Sequence, residues 1–323
     1  MTSSLLPSLQ TLTVGLTSVL RSHGSTSNQV TILRRQLNIY ASSFPSEIVT
    51  CRVDDGSELR LFCKYAAGHS HNAYGHRGGV AYEAAVYRYL LQPSRASAPT
   101  FYGSHTDCST GATWLILEHL ENTLRVSHTP EPAASMNVAA RWIGQFHGIA
   151  KERFSNAPIL FLNRYDAEYY VGWARRTSLF AGHWHQRFPC LTTLCERFEE
   201  LVVLLLKAPP ALIHGEYYTS NILFRNGIVY PVDWESAALA AGEIDLASLT
   251  EGWPVEVVRE CEHEYQRARW PEGSPDDFEL TLAAARLYLH FRWLGERPES
   301  TAAEYHLWRF EELRSSSERL GVI

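Results

Sequence analysis

Residues 212–235 read LIHGEYYTSNILFRNGIVYPVDWE, and the interpretation of the whole chain starts from this stretch. A polar turn is followed by the apolar run NILF, a short turn and a second apolar run that ends on an acidic residue. Two short runs joined by a turn predict a β-hairpin, which would return Asp233 to the neighbourhood of Asn221. The stretch therefore predicts a site built from four polar side chains: His214, Glu216, Asn221 and Asp233.

Side chains of this kind suit phosphoryl transfer. That reaction needs cations against the phosphates and a group that orients the attacking hydroxyl, and it needs little covalent chemistry from the protein. Mg²⁺ takes oxygen ligands from carboxylate and amide groups, so Asn221 and Asp233 are its predicted ligands. Glu216 is then the predicted base for the acceptor hydroxyl. The alternative for Asn221 and Asp233 is a role in capping turns.

The motifs in this stretch resemble those of the aminoglycoside phosphotransferase and choline kinase families. Those families usually show H-G-D-x-x-x-x-N and then [VI]-D-[WF]-E, where this chain has HGEYYTSN and VDWE. The segment AGEIDLASLT resembles their G-x-x-x-x-D-L-A pattern, which makes Asp245 a brace of the catalytic loop or a helix cap. The resemblance implies an α+β, bilobal protein-kinase-like fold, with a small β-rich N-lobe and a larger, mostly helical C-lobe. It also implies ATP or GTP as phosphate donor and Mg²⁺ as cofactor.

The resemblance extends over roughly residues 35–250 and so includes the N-terminal part of the chain. Lys64 in LFCKY stands where these families have the nucleotide-binding lysine of the third strand. Glu83 in YEAAVYRYL stands where they have the glutamate that pairs with that lysine. LILEHLEN resembles the hinge, in which backbone groups at Glu118 and Leu120 would bind the adenine ring. The alternatives are a surface lysine on an edge strand and a solvated helix glutamate.

The turn expected to cover the phosphates departs from the glycine-rich loop of protein kinases. The corresponding segment is YASSFPSEIV, which contains no glycine. Backbone N–H groups and hydroxyls can donate to phosphate instead, and Ser42, Ser43 and Ser46 are the predicted donors. Because the resembling families often use a serine-containing turn, the segment favours them over a typical protein kinase.

Glu216 stands where the motif of these families has Asp. One more methylene moves the carboxylate by about 1 Å, and such a displacement can be costly in an active site. Either the loop is built for the longer side chain, or the protein is a nucleotide-binding pseudokinase. We expect an active enzyme, because phosphoryl transfer relies mainly on positioning and charge. His214, the other residue assigned to the catalytic loop, is expected to fix that loop rather than to act as the base.

The acceptor is predicted to be a hydroxyl of a small molecule such as an amino sugar, an antibiotic or a metabolite. A kinase for Ser or Thr of a peptide in a biosynthetic pathway is the second interpretation, and a non-catalytic nucleotide-binding module is the third. Tyr217 and Tyr218 line the acceptor side or simply pack. The remaining, weaker candidates for contact with the acceptor are His183, Trp184 and His185.

Composition narrows the class of protein. A chain of 323 residues with 45% hydrophobic residues can bury two lobes. Its net charge of −6 disfavours a nucleic-acid partner, which would need a basic face. No run approaches the roughly 18 apolar residues of a membrane span. The absence of a recognisable signal peptide, together with six cysteines that form no CxxC pair, predicts a cytoplasmic location.

Hydrophobic patterns divide the chain into three predicted segments. These are an N-terminal helix and connector over residues 1–28, an N-lobe over 29–121 and a C-lobe over 122–323. In the N-lobe, VTILRRQLNIY, EIVTCRVDD and LRLFCKY predict an antiparallel meander, and TWLILEHLE predicts a further strand. Beyond residue 133 helical spacing dominates. The predicted helices there are AASMNVAARWIGQFHGIAKERF, CLTTLCERFEELVVLLLK and segments around 254–269, 276–295 and 301–319.

Overall fold

A computed structural model describes residues 6–23, 29–40, 44–66, 73–154 and 159–322. The chain divides into two units, Met1–Leu124 with Leu223–Ser236 and Arg125–Ile222 with Ala237–Ile323. The larger sheet lies in the first unit and most of the helices lie in the second. The α+β class predicted from the sequence is therefore confirmed. No helix among the described residues is both long and apolar enough to cross a membrane.

The first unit is built on a five-stranded sheet in which all neighbouring strands are antiparallel. The predicted meander is confirmed as its first three strands. The fourth strand was missed in the sequence, because FYGSHT places a glycine at a register shift near Phe101 and shows no clear alternation. In the sheet order β1-β2-β3-β5-β4, the strands are β1 (Thr31–Leu37), β2 (Ser46–Arg52), β3 (Glu58–Tyr65), β5 (Thr113–Glu118) and β4 (Phe101–Thr106).

The predicted N-terminal helix is confirmed as α1 (Leu9–Ser22), and it covers one face of this sheet. Its apolar stripe, spaced for a helix face, is fully buried against strand residues such as Leu61 and Trp114. Gly15 makes the close approach possible, since a Cβ there would lie 2.4 Å from the Trp114 ring. The helix is thus part of the core that holds β3 in place.

Two further elements of the first unit carry site residues. Helix α2 (Gly79–Val86) continues through a π-helical turn into α3 (Gln92–Ser94). Strands β9 (Ile222–Arg225) and β10 (Ile228–Pro231) form the predicted hairpin. Asn226 and Gly227 join them with φ of 51° and 78°, the conformation of a tight two-residue turn. This turn directs the chain back toward Asp233.

The second unit is mainly helical and also holds a small sheet in the order β7-β11-β8. Four of the five helices predicted from periodicity are confirmed, whereas the segment 301–319 is interrupted, because one helix ends at Ala302 and the next begins at Leu307. The short strands of this sheet were missed because each has only two to four residues. Its helices are α4 (Pro132–Phe154), α5 (Ala167–Phe180), α6 (Trp184–Arg187), α7 (Leu191–Lys207), α8 (Glu243–Thr250), α9 (Val255–Arg269), α10 (Phe278–Leu294), α11 (Pro298–Ala302) and α12 (Leu307–Arg319). Its strands are β7 (Asn163–Arg164), β8 (Pro210–Ile213) and β11 (Ala238–Ala241), and β6 (Leu124–Arg125) lies at the unit boundary.

Helix α10 is buried on most of its sides and carries ionisable groups into the interior. One of them is His290, whose Nδ1 accepts a hydrogen bond from Arg309 Nη1 at 3.2 Å. Burial, followed by the positive charges of Arg309 and Arg286, lowers the pKa of His290 to about 3. The folded protein therefore holds this imidazole neutral.

We expect His290 to make the fold sensitive to mild acid. An unfolded histidine binds a proton below about pH 6.5, whereas the folded one does so only near pH 3. Stability is therefore lost as the pH falls from about 6.5, by roughly 2 kcal/mol at pH 5. The free energy of unfolding, measured with urea at pH 7 and at pH 5, should fall less between these two pH values for His290→Gln than for the wild type. The control His183→Gln, at an exposed position, should lose as much as the wild type. An equal loss in all three proteins would contradict the assignment.

Candidate functional site

Four charged residues of the first unit form a compact group, called here the Lys64 cluster: Lys64, Glu83, Asp233 and Glu235. Lys64 on β3 donates to Glu83 Oε2 on α2 at 2.8 Å and to Asp233 Oδ1, beyond β10, at 2.6 Å. Its Nζ lies 3.7 Å from Glu235 Oε2. The pairing of Lys64 with Glu83 thus has the geometry that the sequence predicted.

The Lys64 cluster contains three carboxyl groups and only one amine. The side chain of Lys64 is 10% exposed and that of Glu83 is 2% exposed. Burial alone would lower the pKa of Lys64, but Asp233, Glu83 and Glu235 outweigh it and raise that pKa well above its usual value. Burial raises the pKa of Glu83, although Lys64 opposes the shift. Such a group stabilises an additional cation or the positive face of a metal–nucleotide complex.

Glu235 is a member of this cluster that the sequence analysis overlooked. It is 1% exposed, and its backbone C=O accepts from Gly78 N–H at 2.8 Å. Its Oε1 lies 3.5 Å from Arg77 Nε. Burial, despite the opposing charge of Lys64, raises the pKa of Glu235 to about 7. The signal was present, because Glu235 is the last residue of the VDWE motif.

Asp233 has a backbone conformation that an ordinary residue avoids. Its φ is 69°, in the left-handed region, where Asp and Asn are tolerated better than bulkier residues. The next residue, Trp234, donates its N–H to Glu83 Oε1 at 3.2 Å and is fully buried. A strained residue held by its neighbours is typical of a functional site. The side chain of Asp233 is 34% exposed, more than the other carboxylates of the cluster.

The structure describes only some of the residues that were predicted to contact the phosphates and the adenine ring. Ser42 and Ser43 lie outside the described residues, and Ser46 is 2% exposed, with Oγ accepting from Asn38 Nδ2 at 3.0 Å. Ser46 pairs with Lys64 in the register of β2 and β3. At the hinge, Glu118 N–H donates to Thr100 C=O at 2.8 Å. The roles of these residues, and of Leu120, in nucleotide binding stay predictions.

In the second unit, Asp245 braces the loop that follows β8. Its Oδ2 accepts from His214 N–H at 2.6 Å and its Oδ1 accepts from Gly215 N–H at 2.9 Å. His214 in turn accepts from Glu216 N–H through Nδ1 at 3.3 Å. Of the two roles expected for Asp245, the geometry shows the brace. His214 is fully buried and contacts the loop backbone, which is the fixing role that we expected for it.

A series of buried, hydrogen-bonded side chains connects Asp245 to helices α4 and α9. His147 contacts Asp245 Oδ2 through Nε2 at 3.2 Å and Tyr265 Oη through Nδ1 at 3.0 Å. Arg269 donates to Tyr265 Oη at 2.6 Å and to Glu243 Oε1 at 3.0 Å. Burial lowers the pKa of His147, so it stays neutral, with one nitrogen donating and the other accepting. Asp245, which holds the loop backbone, is thus itself held by side chains that were not recognised from the sequence.

Gly242 is required where this chain of polar groups passes closest to the backbone. A Cβ there would lie 2.5 Å from His147 Nδ1 and 2.7 Å from Tyr265 Oη. We therefore expect Gly242→Ala to lower the free energy of unfolding by about 1–3 kcal/mol through overpacking. Urea denaturation should show this loss, while the helical control Gly148→Ala, whose Cβ would have 3.6 Å of room, should be neutral or stabilising. Equal stabilities of the two variants would contradict the steric argument.

Glu216 is buried at 5% exposure and is bonded to a residue far along the chain. Arg292 on α10 donates to Glu216 Oε1 through Nη2. Arg292 Nη1 also lies 3.4 Å from Tyr218 Oη. Nothing in the sequence indicated Arg292, because α10 shows no motif and lies 76 positions beyond Glu216. In the same loop, Asn221 Nδ2 donates to Glu216 C=O at 3.1 Å.

The other aromatic and histidine residues predicted to contact the acceptor differ in their surroundings, and two of them pack in the interior. Tyr217 is fully buried and donates to Ala139 C=O at 3.0 Å, so it packs against α4. Trp184 is buried and donates through Nε1 to Thr301 C=O at 3.1 Å. His185 contacts Ser178 C=O at 2.8 Å, whereas His183 is exposed. Tyr218 Oη lies 3.4 Å from Nη1 of Arg292, the residue bonded to Glu216.

The donor groups suit Mg²⁺ rather than a metal held by protein alone. Among the described residues, no set of three or more His, Cys, Asp or Glu side chains could hold a metal ion. In phosphoryl-transfer sites, however, Mg²⁺ takes only one or two protein ligands besides waters and phosphate. Asp233 offers a carboxylate that is 34% exposed, and the amide N–H of Asn221 is engaged with the loop, which leaves the amide oxygen as its ligand atom. Each of these donor groups is of the kind that Mg²⁺ takes, and their assignment as its ligands stays a prediction.

The sequence matches a known protein family. Residues 55–279 match the family model described as the phosphotransferase enzyme family. The match spans more than half of the 323 residues and includes Lys64, Glu83 and the whole stretch quoted above. No curated protein matched the chain in the corresponding search.

Comparison with solved structures shows the same fold in several kinases. Choline kinase from Cryptosporidium parvum Iowa II has a TM-score of 0.61 at 14% identity, covering 90% of this chain and 91% of that one. A choline/ethanolamine kinase family protein from Mesorhizobium loti has a TM-score of 0.57 at 13% identity, covering 88% of each chain. Spectinomycin phosphotransferase, in complex with ADP and spectinomycin, has a TM-score of 0.53 at 14% identity, covering 94% of each. The kinase-like fold predicted from the motifs is confirmed.

Proposed function

The chain belongs to the phosphotransferase enzyme family, and we propose that it moves the γ-phosphate of ATP or GTP to a hydroxyl of a small molecule. The observation that carries the proposal is the Lys64 cluster, in which one buried lysine contacts both Glu83 and Asp233. An ordinary surface ion pair has no need of three carboxylates around a buried amine. The cluster is the arrangement that a nucleotide's phosphates and their counter-ion require.

Lys64, Glu83 and Asp233 of the first unit each have a distinct role in this proposal. Lys64 contacts the phosphate oxygens, and Glu83 keeps its long side chain aimed at them. Asp233 would hold Mg²⁺, which would neutralise phosphate charge when it is bound, and Asn221 is proposed as a further ligand from the sequence motif. Backbone groups of the hinge at Glu118 and Leu120 are assigned to the adenine ring.

Residues of the second unit orient the acceptor. Glu216 accepts the hydrogen bond of the acceptor hydroxyl and takes its proton as that oxygen attacks phosphorus. The backbone of the loop is held by Asp245 and His214, so the carboxylate of Glu216 starts from a fixed point. Preorganisation of this kind is the main protein contribution to phosphoryl transfer.

The free thiols of all six cysteines are consistent with a cytoplasmic location.

An acceptor screen tests the proposed function. The purified protein is incubated with MgATP or MgGTP and, separately, with choline, ethanolamine, spectinomycin, streptomycin and a Ser/Thr-containing peptide. Mass spectrometry then reports the addition of one phosphoryl group to the acceptor, and ADP or GDP release is followed in parallel. Phosphorylation of a small molecule supports the proposal, and phosphorylation of the peptide alone replaces it with the second interpretation. Nucleotide binding with no turnover in any mixture would favour a pseudokinase.

A further inference from the structure

Glu216 is anchored by a permanently charged side chain from another part of the second unit. Arg292 lies in the last turn of α10, with its side chain 1% exposed, and its Nη2 donates to Glu216 Oε1. A guanidinium stays protonated at any pH that the protein survives. The two buried charges therefore form one unit, in which neither can be removed without leaving the other unpaired.

The guanidinium of Arg292 is itself held in place. Its Nη1 lies 3.7 Å from Glu296 Oε2 and 3.4 Å from Tyr218 Oη. Its guanidinium carbon lies over the Trp293 ring, 4.7 Å from the ring centroid. Burial alone would lower the pKa of Arg292, but the Tyr218, Glu216 and Glu296 groups outweigh it and raise that pKa further. Arg292 therefore has little freedom to follow a shorter partner.

We propose that Arg292 is the positioning residue of Glu216, and that the extra methylene of Glu216 is matched to it. This inference rests on the proposed function, since it assigns Glu216 the acceptor hydroxyl. Arg292 fixes the rotamer of the carboxylate and so orients it for the acceptor hydroxyl. Phosphoryl transfer depends mostly on positioning of this kind.

The pairing accounts for the departure from the usual H-G-D motif. An Asp at position 216 would end about 1 Å short of the guanidinium, and the contacts of Arg292 with Glu296, Tyr218 and Trp293 oppose its movement toward the loop. Restoring the aspartate of the family pattern should therefore impair this enzyme. The same change would improve an enzyme whose glutamate was merely a degenerate base.

Kinetics on Arg292→Met, Arg292→Lys and Glu216→Asp test the inference with the best acceptor of the screen. Arg292→Met and Glu216→Asp should each lower kcat about 10²-fold and leave the KM for ATP unchanged. Arg292→Lys, which keeps the charge, should recover part of the loss. The control Arg314→Met, at an exposed position on α12, should behave as the wild type.

Wild-type kcat in both Arg292 variants, or in Glu216→Asp, would overturn the inference. A wild-type protein that phosphorylates no acceptor counts instead against the proposed function.

Discussion

Asp233→Asn is expected to reduce phosphoryl transfer by about 10³-fold or more, the largest effect of any single substitution considered. The change removes one negative charge and keeps the size of the side chain. It also suits the left-handed backbone at this position, where φ is 69° and Asn is well tolerated. The loss would therefore report the missing carboxylate and not a distorted hairpin. Steady-state release of ADP at saturating MgATP measures it.

The matched control for this variant is Asp276→Asn. Asp276 is exposed in the loop before α10, so the same change of charge there should leave kcat unaltered. Asp233→Ala, which also strains the backbone, should be at least as inactive as Asp233→Asn. Turnover of Asp233→Asn within a few-fold of wild type would remove Asp233 from the predicted metal ligands.

Glu216→Gln is expected to lower kcat by about 10²-fold or more through loss of the group that takes the hydroxyl proton. Affinity for the nucleotide should stay the same, because Glu216 contacts Arg292 and its own loop and is absent from the Lys64 cluster. The amide oxygen can still accept from Arg292, and Glu296 remains near the guanidinium to offset its charge, so the loop should keep its geometry. Steady-state kinetics and nucleotide titration of one protein preparation give both values.

The control for Glu216→Gln is Glu279→Gln, an exposed position in the first turn of α10. It makes the same change of charge on the helix that carries Arg292. If Glu216→Gln lost nucleotide binding together with turnover, the role assigned to Glu216 would be wrong. A full-rate Glu216→Gln would show that the acceptor hydroxyl needs no base from this residue.

The parts of the site that could be predicted from the sequence are those with local motifs. The resemblance to the aminoglycoside phosphotransferase and choline kinase families implied the ion pair of Lys64 with Glu83, which the structure contains. The hairpin was predictable because Asn226 and Gly227 form a turn of known geometry. Asp245 was assigned from its motif, and its contact with the loop is as expected.

The parts that could not be predicted depend on side chains that meet through tertiary packing. Arg292 reaches Glu216 only because α10 runs through the interior of the second unit. His147, Tyr265 and Arg269 form their chain because α4 packs against α9, and neither helix shows a polar motif. A buried arginine or histidine in a helical pattern gives no sign of its partner. Strand β4 was overlooked for a local reason, since Gly103 interrupts its alternation.

Calorimetric titration with ATP and with GTP, each with and without Mg²⁺, tests most directly whether the Lys64 cluster is a nucleotide site. The wild type and the Asp276→Asn control should bind at least one nucleotide in a magnesium-dependent manner. Asp233→Asn should lose the magnesium dependence. Equal binding by Asp233→Asn and wild type would contradict the assignment of Asp233. Failure of the wild type to bind either nucleotide would contradict the proposal that this chain is a working phosphotransferase.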